Sequence, residues 1–274
     1  MMKRMLRHPR NAKTALEKNA AHRFAATQAL VCYPTDTVYT FIPKNACSTL
    51  RLSLAAANGC VAGPEDWTWI HPNNRTFSAT LRELLTARFT FVILRCPHAR
   101  LASVFLDKIV SKTTEFWDLY RLENDGLDEF RTTFRRFVAT IEKPKNLRAN
   151  IHWRPQEEFL VYERYDAYFQ MERFGDAVPQ IEQQGGIALI DARPLTRHGT
   201  ERFDLVSDLC YADTPLAELA EMKRQGKAPA HAALYDDRLA ARVARIYAAD
   251  LALYSGLFGT PDLLFPAAAG HERR

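Results

Sequence analysis

Twice within its first 110 residues the chain runs a β-branched and aromatic stretch into a proline-marked polar corner and then into a helix-like segment. The first instance is TVYTFIPKNACSTLRLSLAAAN, residues 37–58, and the second is FTFVILRCPHARLASVFLDK, residues 89–108. The short apolar runs 37–42 and 89–94 read as buried strands, each is followed by a proline, and the spacing beyond is helical. Strand, short polar corner and helix in succession is the pattern of an α/β fold.

The rest of the chain reads around that frame. Helix-forming composition covers 11–28, and a loop with Trp67 and Trp69 covers 64–77. A short helix follows from 78, and an amphipathic helix spans 127–141. Residues 146–156 form a polar, aromatic loop, with short strands at 159–162 and 166–171 and a helix over 174–184. A less regular stretch, 185–235, is a candidate lid, and the last long helix covers 239–253. No linker is evident, so residues 1–274 read as one domain with 1–35 as an N-terminal helical extension.

Composition narrows the function. With 47% hydrophobic and 25% charged residues, the chain is long enough to bury a core without staples. Cys32, Cys47, Cys60, Cys96 and Cys210 occur singly without a CxxC, which points to reduced thiols rather than a disulfide scaffold or structural zinc. No His and Asp/Glu pair stands at ligand spacing, so no metal is expected. The net charge of +5 is spread along the chain, with no basic stripe interleaved with aromatics, so a nucleic-acid partner is not expected. No run of about 18 apolar residues suggests a membrane span. A cytoplasmic protein is expected, with peripheral association at the inner membrane surface as a further option.

Lys44 raises the first chemical question, because a cation at a strand-to-helix corner is either solvated or waiting for an anion. At such a corner the amides near Asn45, Ala46, Cys47, Ser48 and Thr49 lack intrahelical partners, and the helix dipole favours negative charge. Small side chains let a phosphate approach, and Ser48 or Thr49 can add a hydroxyl. The pattern GxxxxGK[ST] of nucleotide triphosphate loops is missing. Taken alone, a plain helix N-terminus with a solvated lysine explains the corner equally well. At the second corner Arg95 ends a strand and Ser103 lies eight residues on, a guanidinium and a hydroxyl able to share one phosphate. Arg100 either assists or pairs with an acid.

Read together, PKNACSTLR and RCPHARLASVF resemble the paired signatures of sulfotransferases that use 3′-phosphoadenosine 5′-phosphosulfate (PAPS). The first is similar to the 5′-phosphosulfate loop and the second to the 3′-phosphate motif. NIHWRPQ, residues 150–156, resembles the HWxPQ segment of carbohydrate sulfotransferases related to the chondroitin, dermatan and HNK-1 enzymes, and the similarity extends over about 37–256. The resemblance implies a P-loop-like mononucleotide-binding core, a central parallel sheet flanked by helices. It also implies sulfuryl transfer from PAPS to a carbohydrate or glycolipid hydroxyl, leaving 3′-phosphoadenosine 5′-phosphate (PAP). Carried over by position, Lys44 would neutralise charge on the leaving phosphate, the backbone from Asn45 through Thr49 would hold the 5′-phosphate, and Arg95 with Ser103 would grip the 3′-phosphate. The second motif has Cys96 where relatives often have aspartate. The lack of the anchor of Golgi members suggests a bacterial-type cytoplasmic enzyme.

An acceptor hydroxyl needs a base, and a histidine near neutrality suits. His71, between the two corners, is the first candidate because the resemblance places the base there, and His152 in HWRPQ is the rival, with orienting that loop as its other role. His98 and His198 are weaker candidates, and Glu65 or Asp66 could serve instead. Trp69, Trp153 and Arg154 are candidate acceptor contacts, along with Trp67 and Tyr162 as stacking surfaces. Core packing is the competing role for each aromatic. RPLTRHGTERF, residues 193–203, is a candidate acceptor lid. A non-catalytic nucleotide- or anion-binding protein of the same fold is the alternative.

Overall fold

The computed structural model describes residues 4–8, 14–73, 75–123, 128–196, 199 and 202–266. The strands are β1 (Ala29–Cys32), β2 (Thr37–Thr40), β3 (Phe89–Leu94), β4 (Ala167–Gln170), β5 (Asp204–Val206) and β6 (Lys227–Pro229). The helices are α1 (Ala20–Thr27), α2 (Cys47–Ala57), α3 (Leu81–Thr86), α4 (Pro97–Val104), α5 (Thr114–Leu122), α6 (Phe134–Ile141) and α7 (Pro144–Leu147). They continue with α8 (Phe174–Gly185), α9 (Arg193–Thr196), α10 (Leu216–Arg224), α11 (Asp237–Ile246) and α12 (Ala248–Phe258). The chain divides into two compact units, Met1–Leu94 with Gln156–Arg197 and Arg95–Pro155 with His198–Arg274.

The first unit holds a four-stranded sheet in the order β1-β2-β3-β4, with β2, β3 and β4 parallel and β1 antiparallel to β2. The sheet is therefore mixed, not wholly parallel as expected. The reason is local: β1 and β2 are joined by a tight turn through Tyr33–Thr35 and a left-handed Asp36 at φ 50°, too short for a parallel crossover. β3 lies between two partners and all six of its residues are buried, which is why it reads as an unbroken apolar run. On one face Tyr39 stacks on Phe91 at 5.1 Å, and the same core takes in Leu50, Leu52 and Leu54 of α2 and Ile181 of α8. Each such buried side chain contributes about 1.5–3 kcal/mol. α8 ends at Gly186, whose φ of +65° and the 2.4 Å that a Cβ would leave to Thr35 Cγ2 admit only glycine.

The other face of the sheet is stitched by polar groups. Thr40 Oγ1 lies 2.7 Å from the Tyr165 hydroxyl, and Thr90 donates to Asp166 from both its amide, at 2.7 Å, and its hydroxyl, at 2.9 Å. Buried Arg4 pairs with Asp166 at 2.7 Å and donates to the carbonyls of Ala87 and Arg88 at 2.9 and 2.8 Å. The segment expected as a strand at 159–162 is instead a 3₁₀ turn, Gln156–Phe159, followed by an isolated bridge from Tyr162 to Leu6.

In the second unit the core gathers Phe105, Phe134, Phe137, Trp153, Leu216 and Val243. α4 runs on as a π-helical turn, Phe105–Ile109. β5 and β6 pair in parallel with α10 between them, so part of the stretch read as less regular is ordinary α/β structure. The last helix breaks into α11 and α12 at Tyr247, which is buried and donates its hydroxyl to the Trp153 carbonyl.

Candidate functional site

The first corner combines strain with missing caps. Lys44 and Ala46 both take left-handed backbone, at φ 72° and 55°, although neither is glycine. Such a residue costs roughly 1–2 kcal/mol and is held only where its surroundings over-determine it. One restraint is visible: fully buried Asn45 donates from Nδ2 to Ile93 O at 2.8 Å and to Gln156 Oε1 at 2.7 Å. A left-handed Ala46 followed by helical Cys47 turns successive N–H groups into one concavity, an anion nest. No side chain caps α2, and its first internal bond runs from Leu50 N to Ala46 O at 3.1 Å. The amides of Cys47, Ser48 and Thr49 therefore precede the helical ladder, at its positive end.

Side chains complete this corner. Lys44, Cys47 and Ser48 are half-buried. Thr49 is buried, and its hydroxyl oxygen accepts the Ala192 amide at 3.3 Å, so Ser48 is the hydroxyl a ligand can reach. Arg51, one turn into α2, was not anticipated. Its Nη2 is buried without an acceptor, its guanidinium lies 5.5 Å from the centre of the Phe41 ring, and burial lowers its pKa from the ordinary arginine value. This second cation lies near Cys47, the first residue of α2. A search for arginine at i+4 from a small-residue helix start could have found it.

At the second corner Arg95 is half-buried and follows β3 directly, and Ser103 is buried near the end of α4. β2 and β3 are parallel neighbours, so the chain enters both corners from the carboxyl end of a strand, the usual place for ligand loops in such sheets. Pro97 opens α4. Cys96 is buried, and its sulfur accepts the Leu264 amide at 3.3 Å. Arg100 is buried and donates to the carbonyls of Arg154 and Ile151 at 2.8 and 3.2 Å, so it ties down the HWRP loop. His98 is fully buried, with Nε2 2.9 Å from Ala240 O and Tyr235 and Phe265 against its ring. Burial lowers its pKa, which suits a packing residue.

The HWRPQ segment divides its residues between packing and chemistry. Trp153 is fully buried in the core and its indole donates to Asn146 O at 2.9 Å, so the expectation of a sugar-stacking surface gives way to core packing. Tyr162 is likewise buried, donating to Leu84 O at 2.9 Å. Arg154 is half-buried. His152 is half-buried, with Nδ1 3.0 Å from Asn150 Oδ1 and 3.3 Å from Glu115 Oε1. Burial works to raise the Glu115 carboxyl, but His152 and the Thr113 hydroxyl hold it below the usual carboxylate range. Asn150 in turn donates to Asp118 at 2.7 Å. Glu115 was not read from the sequence, because α5 was not. His71 is exposed, edge-on to Trp67 at 5.7 Å, and Trp69 is half-buried beside Phe77 at 5.8 Å. Of the stretch 193–203, residues 197, 198, 200 and 201 lie outside the described residues, and with them His198.

Among the described residues no group of three or more His, Cys, Asp or Glu is placed to hold a metal ion, and no helix is long and apolar enough to cross a membrane. No curated protein and no solved structure matches the chain significantly. A sequence model described as Sulfotransferase family does match, over residues 27–255, a span that contains both corners and the HWRPQ segment. The chain belongs to the sulfotransferase family.

Proposed function

We propose that this protein transfers the sulfuryl group of PAPS to a hydroxyl of a carbohydrate or glycolipid acceptor. Family membership implies PAPS as the donor, and the donor set around Lys44 fits an anion of that kind. The observation that carries the reading is the strained turn of Lys44 and Ala46 at an uncapped helix start, with the orphaned Arg51 Nη2 one turn into the same helix. When bound, PAPS supplies a sulfuryl group already activated by its phosphosulfate anhydride.

The remaining work falls to the chain's own groups and is chiefly alignment and electrostatic stabilisation. The amides of Cys47, Ser48 and Thr49 hold the 5′-phosphate, with Asn45 and Ala46 shaping the turn. Lys44 stabilises the negative charge that grows on the leaving side. Arg95 and Ser103 would hold the 3′-phosphate, the guanidinium supplying charge and several N–H donors. His152 is our first choice of base: a carboxylate beside Nδ1 stabilises the imidazolium formed when the ring accepts a proton. His71 is the second. Trp69 and Arg154 are proposed acceptor contacts. We place the reaction in the cytoplasm, on a precursor made before export.

Calorimetric titration with PAP tests the donor site, with the Arg95→Ala protein and adenosine diphosphate as controls. Micromolar binding that weakens in both controls supports the reading. No binding by the wild-type chain at high concentration sinks it and leaves a decayed or purely interacting relative. For the base, pH–rate profiles of His152→Ala and His71→Ala decide, since loss of the base removes the acidic limb. Retention of that limb in both variants would move the role to a carboxylate.

A further inference from the structure

Gln156 and the Asn45 side chain have no part in holding the donor directly, yet their geometry ties the anion loop to two other points of the chain. We infer that the buried amide pair Asn45–Gln156 is the positioning device that sets the left-handed turn of the 5′-phosphosulfate loop. The inference rests on the functional reading above and deepens it.

Both side chains are essentially inaccessible, at 0% and 1% exposure. Asn45 sits between the two left-handed residues Lys44 and Ala46. Its two Nδ2 protons go to two acceptors, Ile93 O at 2.8 Å and Gln156 Oε1 at 2.7 Å, which also fixes the sense of the amide. Its Oδ1 is buried and accepts nothing. A buried acceptor left empty is disfavoured and calls for an explanation. Here the carboxamide is oriented by its donor side alone, and that orientation holds the residue between the two strained positions. The acceptors are also telling. Ile93 lies two residues before Arg95 at the end of β3, and Gln156 is the residue at which the chain re-enters the first unit after HWRP. One asparagine thus registers the loop against the strand that delivers Arg95 and against the last residue of HWRPQ. Neither residue type is needed there for packing alone, where leucine or methionine would fill the space without a buried polar cost.

The test separates positioning from bulk stability. Gln156→Leu keeps the volume and removes the acceptor, leaving a buried Asn45 N–H unpaired. Asn45→Asp replaces the donor face with a second acceptor and covers the case in which the leucine protein does not fold. Binding of PAP, adenosine 5′-monophosphate and adenosine 3′-monophosphate is compared with thermal melts of the free proteins. We expect about tenfold weaker binding of the two 5′-phosphorylated ligands, the size of one lost buried hydrogen bond, with 3′-monophosphate binding unchanged. Equal losses for both monophosphates, or no loss for either, would overturn the inference. Amide hydrogen exchange over residues 44–49 in the free protein carries the same test without any nucleotide. Exchange accelerated there in either folded variant supports the coupling, and unchanged exchange refutes it. A wild-type chain that binds none of the three nucleotides would count against the donor assignment instead, and the exchange result would still decide the coupling.

Discussion

The two corners begin alike, with a buried parallel strand and a proline, and then diverge. The Lys44 corner is built from backbone: two left-handed residues, an uncapped helix and small side chains. At the Arg95 corner neither Arg95, Cys96 nor Pro97 has positive φ and α4 is buried along its whole length, so the anion contacts proposed there come from side chains, Arg95 and Ser103. The contrast fits a division of labour. A reacting centre requires donors fixed in direction before the substrate arrives, which peptide groups in a rigid turn provide. An anchoring phosphate away from the chemistry needs strength more than exact aim, and a guanidinium fork supplies that.

Substitutions can break or sharpen this contrast. The largest effect is expected from Lys44→Ala, with kcat down about 100-fold, the scale of losing one transition-state donor, and PAP affinity reduced much less. Steady-state kinetics beside calorimetry measures the split, and an unchanged rate would refute the assignment. Arg95→Ala should weaken PAP about tenfold or more, as expected for a charge-assisted bond, while adenosine diphosphate binding holds. An equal loss for both ligands would erase the distinction between the corners.

A smaller and opposite effect is expected at Ala46. Glycine there removes a left-handed penalty of roughly 1–2 kcal/mol and adds about 0.5–1 kcal/mol of backbone entropy cost. The protein should melt a few degrees higher by calorimetry, whereas Ala46→Val should weaken PAP binding, since a β-branched residue resists positive φ.

The smallest effect concerns His98 and tests the second corner as a packed element. Burial lowers the pKa of His98, so below about pH 6.5 the unfolded chain takes up a proton that the native ring resists. Stability should therefore fall as pH drops through that value. His8 and His22 are shifted the same way, so His98→Gln should make the slope of denaturation free energy against pH shallower without abolishing it.

Legibility did not follow burial alone: β3 is buried at all six residues, but β4 is buried only at Ala167 and α8 only at Ala177, Ile181 and Gly185. β3 was read at its full length, and β2, β4 and α8 nearly so. β1 escaped because a four-residue buried run, ALVC, carries no alternation and follows helix-like composition. α5 was missed, and Glu115 with it. Lys44, Asn45, Ser48 and Arg95 were legible as candidate chemistry, but the left-handed backbone at Lys44 and Ala46 was not. Positive φ at lysine and alanine leaves no mark of its own, since glycine is what a reader looks for. Trp153 shows the reverse error, where an aromatic in a suggestive motif serves the core.

The division of the chain into interleaved units bears on how the protein is made. β4 completes the sheet only after the ribosome has produced the whole of Arg95–Pro155, and the Arg4 clamp must wait for Asp166. The early strands therefore emerge without their last partner, so neither unit can finish folding as a block in the order of synthesis. Until then β3 presents an unpaired apolar edge, the kind of surface that invites chaperones or aggregation.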